Sequence, residues 1–461
     1  MKPPKGFRDL LPDDFKAREY LKRVISDTYE KFGYNPIDTP VVENVEVLLG
    51  KGGGENEKLM FRVLKRGRKL DKAIKGENWN ELADMGLRYD LTVPLARYYA
   101  ANRNELPAIF KRYQISPVWR ADRPQFGRYR EFVQCDVDVI GSDSMLAEVD
   151  VICATAECLE KLGFENMKLH LNCRPLVGML IGKMGVPETL LEDSLRALDK
   201  IDRFGIDGAV KEMEEAGTPA DACAKVKEFY EKTSGADNVE RIALVARQVG
   251  KDANKHVKDL IEIIEFCPSL GELEIEIDPF LVRGMDYYTG PIFEIRLPDA
   301  GFSIAGGGRY DGLVGSYCKN VEVPATGFSI GFERILVLMK EKEMIPKEWG
   351  GLDVVVCADG EGLEKDVMKM ATELRSIEKK VNGQKKNLCV DVAVTRSKVG
   401  KVLQEAQNRG AKIGVIFKSD MKDEVEIREL AGRKGEQVEK WDVPEKIRAM
   451  LKILEINLKS E

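Results

Sequence analysis

The stretch "VWRADRPQFGRYREFVQCDVDVIG", residues 118–141, reads as strand, charged turn, strand. Between Val133 and Val139 the parity is strict. Val133, Cys135, Val137 and Val139 point one way, and Gln134, Asp136 and Asp138 the other, because successive side chains of a strand alternate. The adjoining turn carries Arg120, Arg123, Arg128 and Arg130. A half-exposed strand with a solvated outer face satisfies this pattern. So does a strand whose arginine end holds a polyanion and whose acidic end holds a cationic amine. A phosphate beside an amino acid requires both.

Working outward, residues 13–32 predict an amphipathic helix, with Ala17, Leu21, Val24, Ile25 and Phe32 on one stripe and Gly33 as its stop. "YNPIDTPVVENVEVLL" is extended and interrupted by Pro36 and Pro40. Hairpin-like regions follow around 58–92 and 109–141, then a helix over 143–162. From about 175 to 268 the texture becomes helical, with Gly and Pro breaks. Strand character returns in "LEIEIDPFLVRGMDYYTGPIFEIRLP" and "FSIAGGGRYDGL", and a helix opens near Gly331. "MIPKEWGG" reads as a linker, after which strand and helix alternate. The expected architecture is α+β. An antiparallel core (1–174 and 269–341) is interrupted by a helical insertion (175–268). A linker (342–351) joins it to an α/β unit (352–461).

Composition bounds the function. The chain has 461 residues, 43% apolar and 33% charged, which suits a soluble protein of two or three domains. No apolar run is long enough to span a bilayer. The opening "MKPPKGFRDLLPDD" lacks the apolar core of a signal peptide, and nine cysteines show no Cys-x-x-Cys pair. A reducing cytoplasm is the expected location. His170 and His256 are too far apart to form a local metal motif, and no P-loop is present. At a net charge of −6, a nucleic acid must be met by local basic surface. Lys58–Lys75 holds eight Lys/Arg against one acid, and Arg103–Arg130 seven against two. The first stretch reads equally well as a solvated hairpin.

Three further residues or runs matter. Arg283 stands one residue before a glycine in apolar surroundings, read here as a strand. A buried arginine needs an anion, which a structural Asp or Glu supplies as well as a ligand does. The run Gly306–Gly308 allows close backbone approach, or simply a turn. Arg334 falls in the first turn of a helix.

Taken in order, "FGYNPIDTPVVE", Arg120 with its strand-loop-strand, and "GFER" resemble motifs 1, 2 and 3 of class II aminoacyl-tRNA synthetases. "LVRGMDYYTG", "AGGGRYDGL", "GFRDLLPDD" and "LRYDLTVPLAR" resemble peptides of the histidyl-tRNA synthetase family. The resemblance implies a ligase that makes histidyl-adenylate from L-histidine and ATP, then charges the 3′ end of histidine tRNA. It implies Asp90 and Tyr288 at the imidazole, with Tyr287 lining the same pocket. It places Asp138 and Thr92 near the α-ammonium, and Gln134 facing the substrate. Arg120 is implied at the histidine carboxylate and the ATP α-phosphate, Arg283 at the α-phosphate within the histidine site, and Arg334, Arg128 and Asp122 at the nucleotide. Arg123 and Gln125 become candidates for the tRNA acceptor end. ATP arrives with Mg2+; no metal site of the protein's own and no tightly bound cofactor is expected. The resemblance further implies a homodimer and an anticodon-binding role for the C-terminal unit. Asp122 departs from the Glu of many class II enzymes. Asp90 departs from the Glu of many bacterial relatives, so "RYDLT" looks archaeal or eukaryotic. A synthetase-like regulatory subunit of ATP phosphoribosyltransferase is the main alternative. The retained Arg120, Arg283 and Arg334 and the C-terminal unit speak against it.

Overall fold

The computed structural model describes residues 1–50, 55–77, 79–124, 129–267, 273–283, 287–318, 321–346, 351–381, 384–393, 398–432 and 434–457. The chain divides into two compact units. One comprises Met1–Leu11 and Leu21–Met344, the other Pro12–Tyr20 and Ile345–Glu461.

The first unit is organised by one sheet. Its described strands are β1 (Asn35–Pro36), β2 (Phe110–Trp119), β3 (Glu131–Ile140), β4 (Lys168–Cys173), β5 (Glu274–Ile277), β6 (Pro291–Arg296), β7 (Ser303–Arg309) and β8 (Ala325–Ile330). Their order across the sheet is β1-β2-β3-β8-β7-β6-β4-β5. The two edge pairs are parallel and every pairing between them is antiparallel. The α+β core expected from the sequence is therefore present.

Register makes the sheet two-faced. Val137, Phe328, Gly307, Phe293, Leu171 and Ile277 lie opposite one another across six strands. Phe293 and Phe328 meet edge to face at 4.8 Å between ring centres. The helix Leu146–Lys161 covers this side of the unit with buried Val151, Ile152, Ala154 and Leu159. One residue along each strand, the row becomes Gln114, Asp136, Ser329, Gly306, Glu294, His170 and Glu276. A one-residue slip of any strand would drop its polar group into the apolar side, so the cavity's chemistry and the core fix the same register.

Between β4 and β5 lie the helices Arg174–Lys183, Leu191–Leu198, Ile201–Glu215, Ala220–Ser234, Asn238–Val249 and Asn254–Phe266. Gly205, at φ 69°, kinks the third of them.

Two sequence expectations need correction. Arg283 is not in a strand; Leu281–Arg283 is irregular chain between β5 and β6. Pro279 cannot donate to a ladder, and the Asp278 carboxylate accepts the Phe280 N–H at 3.0 Å, which turns the chain out of the sheet. The region 58–92 is more than a hairpin. Strands Arg62–Leu64 and Ala83–Leu87 pair, Val42–Asn44 pairs on the other side, and a helix, Arg68–Lys75, fills the connection.

In the second unit a sheet runs in the order Val390–Val392, Val354–Asp359, Ile413–Lys418, Glu424–Glu429, Gly435–Glu439. The first three strands are parallel and the last two antiparallel. Helices Glu364–Arg375, Val399–Asn408 and Val443–Asn457 accompany it. Its two antiparallel strands, EVEIRE and GEQVE, are rich in Glu and lie beyond the strand–helix alternation read from the sequence.

Candidate active site

The polar face of the sheet forms the floor of a cavity of about 1010 Å³. Asp90, Thr92, Arg120, Asp122, Gln134, Asp138, Arg283, Tyr287, Tyr288 and Arg334 all line it. These residues come from five separate segments of chain, around 90–92, 120–122, 134–138, 283–288 and 334, and the fold brings them together. Arg123 is exposed and does not line the cavity. Gln125 and Arg128 lie outside the described residues.

At one end stands Asp90, only 1% exposed. One carboxylate oxygen accepts the Val93 N–H at 3.2 Å, at the start of the helix Thr92–Asn102. The other, Oδ2, is buried with no hydrogen-bond partner among the described residues. Burial raises its pKa to about 6, against the pull of the Arg120 and Arg112 charges. A buried carboxylate oxygen without a donor is costly unless a ligand supplies one. Tyr287 packs beside it, with its ring 4.9 Å from Tyr288 and 5.9 Å from Tyr310.

Asp138 is neutralised from beneath. Arg112, 0% exposed and directly across from it in β2, approaches to 2.7 Å. The approach is off-axis for a hydrogen bond, so the contact is Coulombic. Tyr310 donates its hydroxyl to the other oxygen. Gly327 makes this possible: a Cβ there would fall 2.0 Å from Asp138 Oδ1. Asp136, the next acid on this face, accepts from Ser329 at 2.5 Å, and burial raises its pKa to about 7. Arg112 and Tyr310 were not foreseen. Arg112, Gln114 and Ser116 repeat at every second position and so share one face of β2, a signal present in the sequence; that this is the face of Asp138 follows from the register with β3.

Arg120, Arg283 and Arg334 also line the cavity. Arg120 sits just past β2, where its Nε donates to the Tyr89 carbonyl at 3.0 Å and its guanidinium lies 5.1 Å from the Phe132 ring. Arg283 donates from Nη1 to Glu294 at 2.6 Å. Burial works against its charge, and Glu294, Tyr288 and Asp199 together outweigh that and raise its pKa. Its buried Nε has no hydrogen-bond partner among the described residues. The guanidinium lies flat over Gly306, where a Cβ would come within 2.2 Å of it. The first glycine of the run is thus required by a close approach. Arg334 donates to the Ser303 carbonyl at 2.7 Å and stands 5.3 Å over the Phe302 ring. Its neighbour Glu333 is buried and accepts from Arg8 at 2.7 Å, while the Arg8 guanidinium stacks 3.3 Å over Tyr129.

The two histidines make local contacts. His170 Nδ1 is 3.6 Å from Asp278, and His256 Nδ1 is 3.3 Å from the Cys173 thiol. Among the described residues no cluster of three or more His, Cys, Asp or Glu could hold a metal ion.

In chemical terms, one cavity offers a buried carboxylate with one oxygen unpaired among the described residues, two guanidinium groups anchored by other protein groups, and an arginine over an aromatic ring. That set can hold a cationic or hydrogen-bond-donating ring, a phosphorus centre and a nucleotide.

The histidyl-tRNA synthetase family matches this chain over residues 6–335. The histidine–tRNA ligase of Leifsonia xyli is 42% identical over 365 residues, covering 77% of this chain and 83% of that protein. That of Christiangramia forsetii is 35% identical over 420 residues, covering 88% and 90%. The crystal structure of histidyl-tRNA synthetase from Nostoc sp. PCC 7120 aligns with a TM-score of 0.78 at 26% identity, covering 98% of this chain and 99% of that one.

Proposed function

The chain belongs to the histidyl-tRNA synthetase family and is a histidine–tRNA ligase, a class II aminoacyl-tRNA ligase; from that premise we propose how its cavity divides the work. Asp90 and Tyr288 take the imidazole, and Thr92 and Asp138 the α-ammonium, with Gln134 between them. Tyr287 closes the ring pocket. Arg120 and Arg283 hold the histidine carboxylate and the ATP α-phosphate together. Arg334, Asp122 and Arg128 take the nucleotide, and Arg123 and Gln125 the acceptor end of the tRNA.

The histidine carboxylate attacks the α-phosphorus in line and pyrophosphate leaves. Negative charge builds on the equatorial oxygens of that phosphorus. Guanidinium groups already fixed by Glu294 and by the Tyr89 carbonyl stabilise it without reorganising. Mg2+ enters as part of the ATP substrate, carried on its phosphates. The 3′-hydroxyl of the terminal adenosine then displaces AMP from the adenylate. The observation that carries this reading is the Asp90 oxygen left unpaired in the same cavity as Arg283, whose Nε is likewise unpaired. The "RYDLT" peptide, with Asp rather than Glu at 90, is assigned to the archaeal or eukaryotic form of the pocket. Val41 and Val42, 41% and 37% exposed beside β1, support a homodimer through the motif 1 segment. The cytoplasm is the proposed location.

Asp90→Asn tests the imidazole assignment. A charge-assisted hydrogen bond is worth about 1.5–3 kcal/mol, so the KM for histidine is expected to rise roughly tenfold to a hundredfold. The KM for ATP should stay within twofold. Equal effects on both substrates would place Asp90 outside the histidine site. Stability should move the other way. A carboxyl whose folded pKa lies above its unfolded value is a cost once ionised. The Asn variant is therefore expected to melt higher than the parent at about pH 8, and this gain should vanish below the unfolded value of about 3.9.

Residues 352–461 are proposed to hold the anticodon. Binding energy remote from the reacting centre acts on the transfer step. A chain ending at residue 348 should retain pyrophosphate exchange and charge tRNA poorly. Pro12–Tyr20 packs as part of the second unit, so the truncated chain must first be shown to be folded. Full charging by a folded truncated chain would remove the anticodon role.

A further inference from the structure

We propose that the basic hairpin of residues 57–87 is a docking surface for the phosphate backbone of the tRNA acceptor arm, an inference that rests on the ligase activity above.

The helix Arg68–Lys75 buries only Ala73. At 100° per residue, Arg68, Lys69, Lys72 and Lys75 fall within an arc of about 120°. Arg66 stands in the loop just before it. All five are exposed, and none makes an ion pair among the described residues. Asp71 is the one acid of the helix, and it falls outside the basic arc. Surface helices usually alternate signs at i, i+3 and i+4, because like charges at that spacing repel. Here Arg68 and Lys72, Lys69 and Lys72, and Lys72 and Lys75 are all like-charged neighbours. Such a face is a liability for folding and an asset for meeting a polyanion. In a chain of net charge −6, it reverses the overall field locally.

Position selects the partner. The base of the hairpin is fastened to the cavity's own walls. The Ala121 N–H, one residue past Arg120, donates to the Leu59 carbonyl at 2.7 Å. The Leu87 N–H donates to the Phe61 carbonyl at 2.9 Å, and the Arg130 guanidinium lies 6.0 Å from the Phe61 ring. The strand Ala83–Leu87 runs directly into Arg88, Tyr89 and Asp90. Both ends of the hairpin therefore join segments that supply Asp90 and Arg120. A polyanion whose 3′ end enters that cavity passes beside this helix. Lysine and arginine tips on an exposed helix touch phosphates and position the duplex without reading bases.

The test uses the full chain with Arg66, Arg68, Lys69, Lys72 and Lys75 all changed to Gln. ATP–pyrophosphate exchange, which needs no tRNA, is expected within twofold of the parent. The KM for tRNA in aminoacylation is expected to rise at least about tenfold at 0.1 M salt, and its dependence on salt to flatten. Each lost phosphate contact removes about 0.7–0.9 from the slope of log affinity against log salt. A second variant, with each Lys exchanged for Arg and each Arg for Lys at these positions, should behave as the parent. An unchanged KM and salt slope in the Gln variant would overturn the proposal. So would an equal loss in the charge-conserving variant, or a fall in exchange as large as the fall in charging.

Discussion

Arg283→Ala is expected to cut histidine-dependent pyrophosphate exchange by about 10²–10³-fold, the usual cost of losing one preorganised donor to a developing oxyanion. The side chain is a quarter exposed toward the cavity and is anchored by Glu294 behind it. Its loss leaves Glu294 paired with Arg296, so the fold should survive. Arg283→Lys separates charge from shape. Lysine restores the charge but not the flat guanidinium that rests over Gly306, so rescue should be small. Exchange within threefold of the parent in the Ala variant would remove Arg283 from the chemistry.

Arg112→Met should damage both stability and substrate binding. Arg112 and Asp138 are 0% and 4% exposed, and Arg112 is also the largest influence opposing burial at Asp136. Removing one member of a buried pair typically costs about 3–5 kcal/mol. The Tm should fall accordingly. Without the guanidinium, burial is opposed less, so the pKa values of Asp138 and Asp136 both rise further and the negative charge held at Asp138 weakens. The α-ammonium then has a weaker counter-ion, and the KM for histidine should rise at least about tenfold. The double variant Arg112→Met with Asp138→Asn is the decisive control. It should recover much of the Tm, because no charge is left stranded, and none of the histidine affinity. A single variant with the parent's KM would show that Asp138 does not serve the amine.

The parity of Val133–Val139 disclosed the polar sheet face, because alternation is a local property of a strand. Asp136 and Asp138 could be seen on that face, but Arg112 could not be assigned to them. Their pairing depends on the register between β2 and β3, which no single strand encodes. Arg283 carried a motif but no geometry. Its seat over Gly306 and its anchor on Glu294 come from three segments meeting. The strand assumed for it failed because Pro279 and the Asp278 turn override the apolar run. In the helix Arg68–Lys75, Leu70, Ala73 and Ile74 stand at i, i+3 and i+4, but a single turn of that spacing inside a charged stretch between two strands is a short signal. Only Ala73 is buried there.

In the proposed mechanism, one cavity activates histidine with ATP before tRNA takes part. Its direct test is ATP–pyrophosphate exchange by the full chain without tRNA, run with each amino acid in turn. The expected result is exchange that depends on L-histidine and is lower by orders of magnitude with every other amino acid, because Asp90 and Tyr288 are left unpaired by a side chain lacking the ring nitrogens. No exchange with histidine, or equal exchange with an apolar amino acid, would contradict the account.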